Sequence, residues 1–164
     1  MRQSLRKAGE SIVDFYLVRH GEAVSETLDP RRPLTPAGRE EVERVAQLAA
    51  QRKITVSAIF HSGILRAQQT AEIFAEALGP AIKVQKITGL LPQDDPAIAK
   101  AEMDVSEQPI MLVGHLPHMN RLASLLVHGN PDREVVAFSP ATVVCCSRSG
   151  SDWKIAWTLG PQSR

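Results

Sequence analysis

The chain has 164 residues, of which 43% are apolar and 23% charged, and its 19 basic and 18 acidic side chains give a formal net charge of +1. These proportions predict one globular domain, residues 12–164, behind a loose leader of residues 1–11, and leave no room for a second domain of ordinary size. Because the net charge is so small, non-specific binding of nucleic acid is excluded, and any anion must be bound by a local cluster of cations.

Cysteine usage and hydropathy indicate the compartment. Cys145 and Cys146 are adjacent, so on a strand they would point to opposite faces and make a poor disulfide pair, which favours a reducing, cytoplasmic compartment. No apolar run is long enough for a signal peptide or a membrane span, so we expect no membrane association.

Strand and helix patterns alternate along the chain. Short apolar runs rich in β-branched residues predict strands over residues 12–18, 56–60, 82–87 and 110–113. Thr35 and Pro36 predict the cap and first turn of a helix, and Gly79 with Pro80 ends a second helix that follows residue 63. Weaker patterns predict helices over residues 97–103 and about 120–127.

The C-terminal part changes to a period of two. Residues 141–147 and 153–159 flank a polar stretch, residues 148–152, and apolar residues alternate in the second run, which predicts a β-hairpin. We therefore predict an α/β fold, a three-layer sandwich whose mainly parallel central sheet is covered by helices on both faces, with an antiparallel hairpin at the C-terminal end.

Three of the predicted strands end in cationic or imidazole side chains. Arg19 and His20 follow the first strand, His61 and Arg66 follow the second, and His115 follows the fourth. Ligands of open parallel α/β sheets bind outside the carboxyl ends of the strands. We therefore expect these residues to meet at one edge of the sheet.

These residue types all suit the binding and transfer of a phosphoryl group. Guanidinium groups suit phosphoryl oxygens, and a neutral imidazole can act as a nucleophile while a second, protonated imidazole stabilises transition-state charge. Arg66 also lies in the first turn of its predicted helix, where the dipole favours an anion. The pattern predicts phosphoryl transfer through a histidine, although each residue taken singly is also compatible with a solvated loop residue or a helix cap.

The joint pattern resembles the histidine phosphatase superfamily, also called the phosphoglycerate mutase-like family. It combines Arg19-His20-Gly21-Glu22 after a strand with residues 62–71 and with a histidine, His115, after a later strand. The resemblance extends from about residue 14 to residue 159. Within the family the chain is most similar to the short bacterial phosphohistidine phosphatases of the SixA type, through residues 32–35, 65–70 and 115–117 and its small size.

The resemblance implies that His20 is the nucleophile that becomes transiently phosphorylated, without a metal or other cofactor. It also implies that Arg19, Arg66 and His115 bind the phosphoryl oxygens. Further candidates for binding the substrate are Arg32, Glu22 and Ser62, and an exposed loop arginine is the competing interpretation of Arg32.

The sequence departs from the family pattern at two positions. Larger relatives place a general-acid carboxylate after the third strand, where this chain has Gly89. The substitute proton donors are Glu22, Asp94, Asp95 and His118. Glu26 stands where the mutases have an asparagine, which disfavours a mutase that acts on sugar phosphates.

These departures favour one substrate class. Since the imidazole that leaves a phosphohistidine is easily protonated, its hydrolysis needs a positioned acid less than that of a phosphate ester does. A chain too short for an inserted lid also predicts an open site, which suits a phosphorylated side chain of a protein. We therefore predict a phosphatase for phosphohistidine on a protein, such as the phosphotransfer domain of a signalling system, with inorganic phosphate as product.

Three alternatives remain open. The first is a broad-specificity phosphomonoesterase for small metabolites, and the second is a module that binds a phosphoprotein without turnover. The third is a metal-dependent hydrolase, whose ligands would come from His20, His61, His115, His118 and Glu22. Because no apolar stripe demands a partner helix, we expect a monomer.

Overall fold

The computed structural model describes residues 11–163, and all of the predicted leader except Ser11 lies outside them. The strands are β1 (Ile12–Arg19), β2 (Ala58–His61), β3 (Lys83–Lys86), β4 (Ile110–Gly114), β5 (Val143–Ser149) and β6 (Asp152–Leu159). The helices are α1 (Pro36–Gln51), α2 (Leu65–Leu78), α3 (Pro96–Val105) and α4 (His118–His128). No helix in this part of the chain is long and apolar enough to cross a membrane.

A single mixed sheet forms the centre of the fold, with the strand order β3-β2-β4-β1-β5-β6. The first four of these strands pair in parallel, whereas β5 runs antiparallel to both β1 and β6. This arrangement confirms the predicted α/β fold with a mainly parallel sheet and a C-terminal antiparallel hairpin.

The sheet separates two apolar cores. One core contains the buried stripes of α1 and α2, and the other contains those of α3 and α4. Cys145 belongs to the first core and Cys146 to the second, and both are free thiols. Their positions confirm that the adjacent cysteines point to opposite faces of the sheet.

The C-terminal hairpin is tighter than its sequence predicts. Arg148 and Ser149 pair with Trp153 and Asp152, so the connection is only Gly150 and Ser151 rather than residues 148–152. Gly150 has φ of 61°, a conformation that glycine adopts without strain and that two-residue hairpin turns require.

The alternating apolar residues of β6 do not share one face. Trp153 and Ile155 pack in the α3–α4 core, whereas Trp157 and Leu159 pack in the α1–α2 core. The switch coincides with an irregularity in the β5–β6 register between Cys145 and Cys146. Since one extra residue in a strand reverses which face the following side chains occupy, β6 contributes to both cores.

Candidate active site

The strand order places three strand ends side by side. In the parallel register, Arg19 at the end of β1 lies opposite Gly114 at the end of β4, and His61 at the end of β2 lies opposite Val113. The loops that follow therefore start at neighbouring points of one sheet edge. They bring the rings of His20 and His115 together, with centroids 5.0 Å apart and planes tilted by 53°.

The hydrogen bonds of His20 define its tautomer. Its Nδ1 lies 2.6 Å from the carbonyl oxygen of Gly21, and because a carbonyl only accepts, Nδ1 carries the proton. The other ring nitrogen, Nε2, accepts from Nε of Arg66 at 3.4 Å. The unprotonated nitrogen of His20 therefore faces a guanidinium group, to which its lone pair is directed.

Burial keeps His20 neutral. Desolvation lowers the pKa of His20 to about 4, and the positive charges of Arg66, Arg19 and Arg32 act in the same direction. The bond from Nδ1 to the Gly21 carbonyl raises the pKa but does not outweigh them. At neutral pH the ring is therefore an uncharged nucleophile among cations.

A buried threonine fixes the backbone beside His20. The Thr70 hydroxyl donates to the carbonyl oxygen of Arg66 at 2.8 Å and accepts from the backbone N–H of Gly21 at 3.1 Å. It thus ties the loop after β1 to the first turn of α2, and so His20 to Arg66. Reasoning from the sequence did not assign Thr70 a role, because only the folded approach of Gly21 gives this hydroxyl its second partner.

Glycine is required both in this loop, at Gly21, and in the first turn of α1, at Gly38. A Cβ atom on Gly21 would come within 2.5 Å of Cγ2 of Val42, and one on Gly38 within 2.2 Å of the carbonyl oxygen of Glu22. The N-terminal turn of α1 therefore packs directly against the segment that carries His20. The Thr35 side chain caps this turn by accepting from the N–H of Gly38 at 2.8 Å, which confirms the predicted helix start.

His115 is held by Ser62. Nε2 of His115 lies 2.7 Å from the Ser62 hydroxyl, which also accepts from the backbone N–H of Ile64. Burial lowers the pKa of His115 to about 3, so its ring in the free protein is neutral, whereas the sequence alone also allows the protonated form as the donor. If the Ser62 hydroxyl donates to Nε2, the proton of His115 sits on Nδ1, which has no protein partner. Ser62 thus contacts His115 and acts through it.

The arginines lie around this histidine pair. Arg19 donates from Nη1 to the Phe138 carbonyl oxygen at 2.9 Å, and its buried Nε has no protein partner. Burial lowers the pKa of both Arg19 and Arg66, and the charge of Arg32 adds to the effect on Arg66. An anion bound among these groups would relieve the repulsion between Arg32 and Arg66 and offset the burial of Arg19.

Arg32 is not a freely solvated loop residue. It is half-buried, has φ of 49°, and donates from Nε to the carbonyl oxygen of Val24 at 3.1 Å. Its charge contributes to lowering the pKa of both His20 and His115. The structure thus brings Arg32 close to the histidine pair, at the cost of a backbone conformation that is unfavourable for a residue with a Cβ atom.

The three candidate carboxylate donors all hold structural hydrogen bonds. Glu22 is exposed and accepts from the Thr35 hydroxyl at 2.9 Å. Asp94 accepts from the backbone N–H of Leu91 at 2.9 Å, and Asp95 caps α3 through the N–H of Ala97. The structure does not bring Asp94 or Asp95 into hydrogen-bond contact with His20.

Two further histidines, His61 and His118, are buried. His118, in the first turn of α4, is fully buried, and this burial lowers its pKa, whereas the backbone of Gly89 acts in the opposite direction. His61 accepts from the N–H of Gly63 through Nδ1 at 3.0 Å. Within residues 11–163 no group of three histidine, cysteine or acidic side chains is arranged to hold a metal ion.

An α/β sheet that carries two neutral histidines and three arginines at one carboxyl edge is suited to bind a phosphoryl group or a similar anion. Residues 15–91 match the model of the histidine phosphatase superfamily, branch 1. The chain belongs to this superfamily and is SixA-like within it.

Two curated proteins are similar in sequence. An uncharacterised protein of Picosynechococcus sp. is 34% identical over 125 residues, which is 71% of this chain and 74% of that protein. The phosphohistidine phosphatase SixA of Escherichia coli is 26% identical over 122 residues, which is 71% of this chain and 76% of the E. coli protein.

Solved structures share the fold. The structure of the protein histidine phosphatase SixA complexed with tungstate superposes with a TM-score of 0.80 at 22% identity, covering 91% of this chain and 97% of that one. A protein of Agrobacterium tumefaciens that has been assigned to SixA gives a TM-score of 0.75 at 24% identity, covering 91% of this chain and 98% of that one. These structures confirm a phosphoglycerate mutase-like architecture.

Proposed function

We propose that the chain is a phosphatase that hydrolyses phosphohistidine on a protein, such as the phosphotransfer domain of a signalling system, through a covalent intermediate on His20. The observation that carries the proposal is the state of the His20 ring, with its proton held on Nδ1 by Gly21 and the lone pair of Nε2 directed towards Arg66. Residues 12–164 act as one catalytic domain, in the cytoplasm and as a monomer.

In the first step the lone pair of His20 Nε2 attacks the phosphorus atom of the substrate. A P–N bond forms to His20 as the P–N bond to the substrate imidazole breaks, and the departing nitrogen takes up a proton from solvent. The guanidinium groups of Arg19 and Arg66 and the Nδ1–H of His115 bind the three phosphoryl oxygens. Because these donors are in place before the reaction, they stabilise the transition state without reorganisation.

In the second step a water molecule attacks the phosphorus atom of phosphorylated His20. The bond to Nε2 breaks and returns its electron pair to the ring, and inorganic phosphate leaves. The bond from Nδ1 to the Gly21 carbonyl persists through both steps, so it holds the ring in one orientation and offsets the positive charge that the phosphorylated ring acquires.

The substrate is proposed from the acid–base inventory of the site. Glu22, Asp94 and Asp95 are engaged in hydrogen bonds of the fold, and Gly89 provides no side chain where larger relatives place an acid. Such a site suits a leaving group that is protonated easily, as imidazole is. The name of the curated E. coli relative, a phosphohistidine phosphatase, supports the same choice.

Trapping the phosphoryl group tests the nucleophile. Brief mixing with a phosphotransfer domain labelled on histidine should leave an acid-labile, base-stable phosphate on the chain, and peptide mapping should place it on His20. His20→Ala should abolish the trapped label and lower kcat by at least about 10³-fold. His128→Ala, which changes an exposed histidine at the end of α4, should do neither.

The result also separates the alternatives. Label on another residue, or unchanged turnover by His20→Ala, would overturn the nucleophile. A kcat/KM higher for sugar phosphates than for the phosphotransfer domain would identify a phosphomonoesterase, for which the exposed Glu22 beside His20 would be the proton donor. Binding of the phosphoprotein without turnover would identify a non-catalytic module.

A further inference from the structure

The large apolar side chains that the described residues leave exposed are unevenly distributed. Five are exposed: Leu28, Leu91, Ile98, Val105 and Ile12. The first three lie on the loops or first helical turn that follow the carboxyl ends of β1 and β3, the sheet edge of the histidine pair. We call Leu28, Leu91 and Ile98 the rim residues. Val105 ends α3 and Ile12 begins β1, so both lie at the opposite edge.

The segment that carries Leu28 is ordered by its own hydrogen bonds. Leu28 is 81% exposed, the largest value among the five. The backbone N–H groups of Leu28 and Asp29 both donate to the carbonyl oxygen of Ser25 at 3.1 Å. The backbone N–H of Arg32 donates to the backbone carbonyl oxygen of Asp29 at 2.9 Å, and the N–H of Val24 donates to the carbonyl oxygen of Pro33 at 2.8 Å. A leucine held in solvent by a closed turn is preorganised for contact with another molecule.

The same turn adjoins the proposed phosphoryl site. The charge of Arg32 contributes to lowering the pKa of both His20 and His115. Arg32 is four residues from Leu28, so the Cα atoms of Arg32 and Leu28 are no more than about 14 Å apart. Leu34, just beyond Arg32, is buried in the α1–α2 core. Leu28 therefore stands on the α1–α2 side of the site.

Leu91 stands on the other side of the site. Its neighbour Leu90 is fully buried in the α3–α4 core, and the Asp94 carboxylate accepts the N–H of Leu91 at 2.9 Å. Ile98, in the first turn of α3, is 49% exposed and packs beside Gly89 of the same loop. The apolar rim residues thus lie on both sides of the edge that carries the histidine pair.

We propose that the rim residues form a docking surface for the folded protein that carries the phosphoryl group, with apolar side chains of that protein on both sides of its phosphorylated residue. The inference rests on the proposed function and deepens it. Charge complementarity identifies the binding partner. A molecule that binds between the rim residues places one of its side chains among Arg19, Arg66 and Arg32. Only a phosphorylated or similarly anionic side chain satisfies these cations. A free phosphorylated amino acid has no neighbouring side chains on either side of its phosphorylated residue, so only a protein surface gains from the rim residues.

The experiment compares two substrates with the same leaving group. One is free phosphohistidine, and the other is a histidine phosphotransfer domain phosphorylated with phosphoramidate. In the variants Leu28→Ser and Leu91→Ser, kcat/KM on the phosphotransfer domain should fall by about tenfold each, mainly through KM, while kcat/KM on free phosphohistidine stays unchanged. Serine adds no charge, so the electrostatics of the phosphoryl site are preserved. Val105→Ser is the matched control, since Val105 is 76% exposed at the opposite sheet edge, and it should change neither value.

Each outcome distinguishes this inference from the proposed function. If the wild-type chain hydrolyses the phosphotransfer domain and both leucine variants retain its full rate, the docking surface is wrong and the proposed function stands. Equal losses on both substrates would also overturn the docking surface, because they would place the leucines in the chemistry. No turnover of the phosphotransfer domain by the wild-type chain would overturn the proposed function and this inference with it. A concentration-dependent dimer that Leu28→Ser dissociates would assign the surface to a second copy of this chain instead.

Discussion

The protonation state of His20 links the smallest structural detail to the proposed chemistry. An imidazole with an ordinary pKa would be partly protonated in a mildly acidic cell, and its protonated fraction could not attack phosphorus. Burial among arginines lowers the pKa of His20 to about 4, so the nucleophile remains unprotonated well below neutral pH. The Gly21 carbonyl meanwhile selects which nitrogen is free.

Titration of the His20 ring by NMR should therefore show a midpoint near pH 4. Only the deprotonated form is active, so kcat/KM should be constant from about pH 7 to pH 5 and fall as the pH drops through the pKa of His20. In Arg32→Met the midpoint should move to higher pH, because the charge of Arg32 is one cause of the lowered pKa.

Arg133→Met removes an exposed arginine that has no hydrogen bond or ion pair from its side chain in the described residues, and it should leave the midpoint in place. A wild-type midpoint between pH 6 and 7 would contradict the neutral, buried nucleophile.

At this scale the sequence predicts the residues that bear the chemistry better than those that position them. His20, Arg66 and His115 are recognisable because strand ends of a parallel sheet converge, and a cation or imidazole there is unusual. Thr70 is an ordinary helical residue in the sequence, and its role depends on the approach of Gly21, which is 49 residues away. The neutral state of His115 likewise depends on burial, which no local pattern reveals.

The backbone carbonyl groups at the C-terminal end of helix α3 accept hydrogen bonds from a residue on a distant strand. The helix has no basic residue in its last turn, but the Arg148 guanidinium on β5 donates to the carbonyl oxygens of Met103, Asp104 and Ser106. The guanidinium also lies 5.2 Å from the Phe15 ring centroid. A cation at a helix C-terminus satisfies unpaired carbonyls and opposes the negative end of the dipole.

Replacing Arg148 by methionine should lower the free energy of unfolding by about 2–3 kcal/mol, since three carbonyl groups lose a charged donor. The residue pairs near the start of β1, at the sheet edge opposite the histidine pair, so kcat should not change. Urea denaturation gives the stability, and Lys154→Met, an exposed cation on the neighbouring strand, should change it by less than about 0.5 kcal/mol. A loss of activity without a loss of stability would show that Arg148 acts in catalysis and not on α3.

Some boundaries of helices and strands can be predicted from the local sequence, and others cannot. The start of α1 is predictable because a threonine cap and a proline identify it locally. The face reversal in β6 is not, because alternation along one strand carries no information about an irregular register with its neighbour. Helix α4 begins at His118 rather than near residue 120, since its first turn is stabilised by a bond from Met119 N–H to the His115 carbonyl oxygen rather than by a capping side chain.

For the whole molecule, a net charge of +1 conceals a concentration of cations at one sheet edge. Arg32 repels Arg66 there, and these two residues and Arg19 lie near two histidines that burial keeps neutral. The free protein thus retains unfavourable repulsion between like charges at the site, and a bound anion relieves this repulsion. A ligand that binds only the folded state stabilises it by mass action.

Inorganic phosphate, the product of the proposed reaction, should therefore raise the melting temperature. At a concentration of 100 times its Kd the gain should be about 2.7 kcal/mol, which corresponds to roughly 5–10 °C for a domain of this size. Arg66→Met should lose most of this shift, because the Arg66 guanidinium donates directly to Nε2 of the proposed nucleophile, whereas Arg133→Met should retain it. General salting effects of phosphate act on all three proteins alike, so the difference between the variants measures the site alone. An equal shift in all three would mean that the arginine cluster does not bind the phosphoryl group, and phosphoryl binding would then have to be assigned to another part of the molecule.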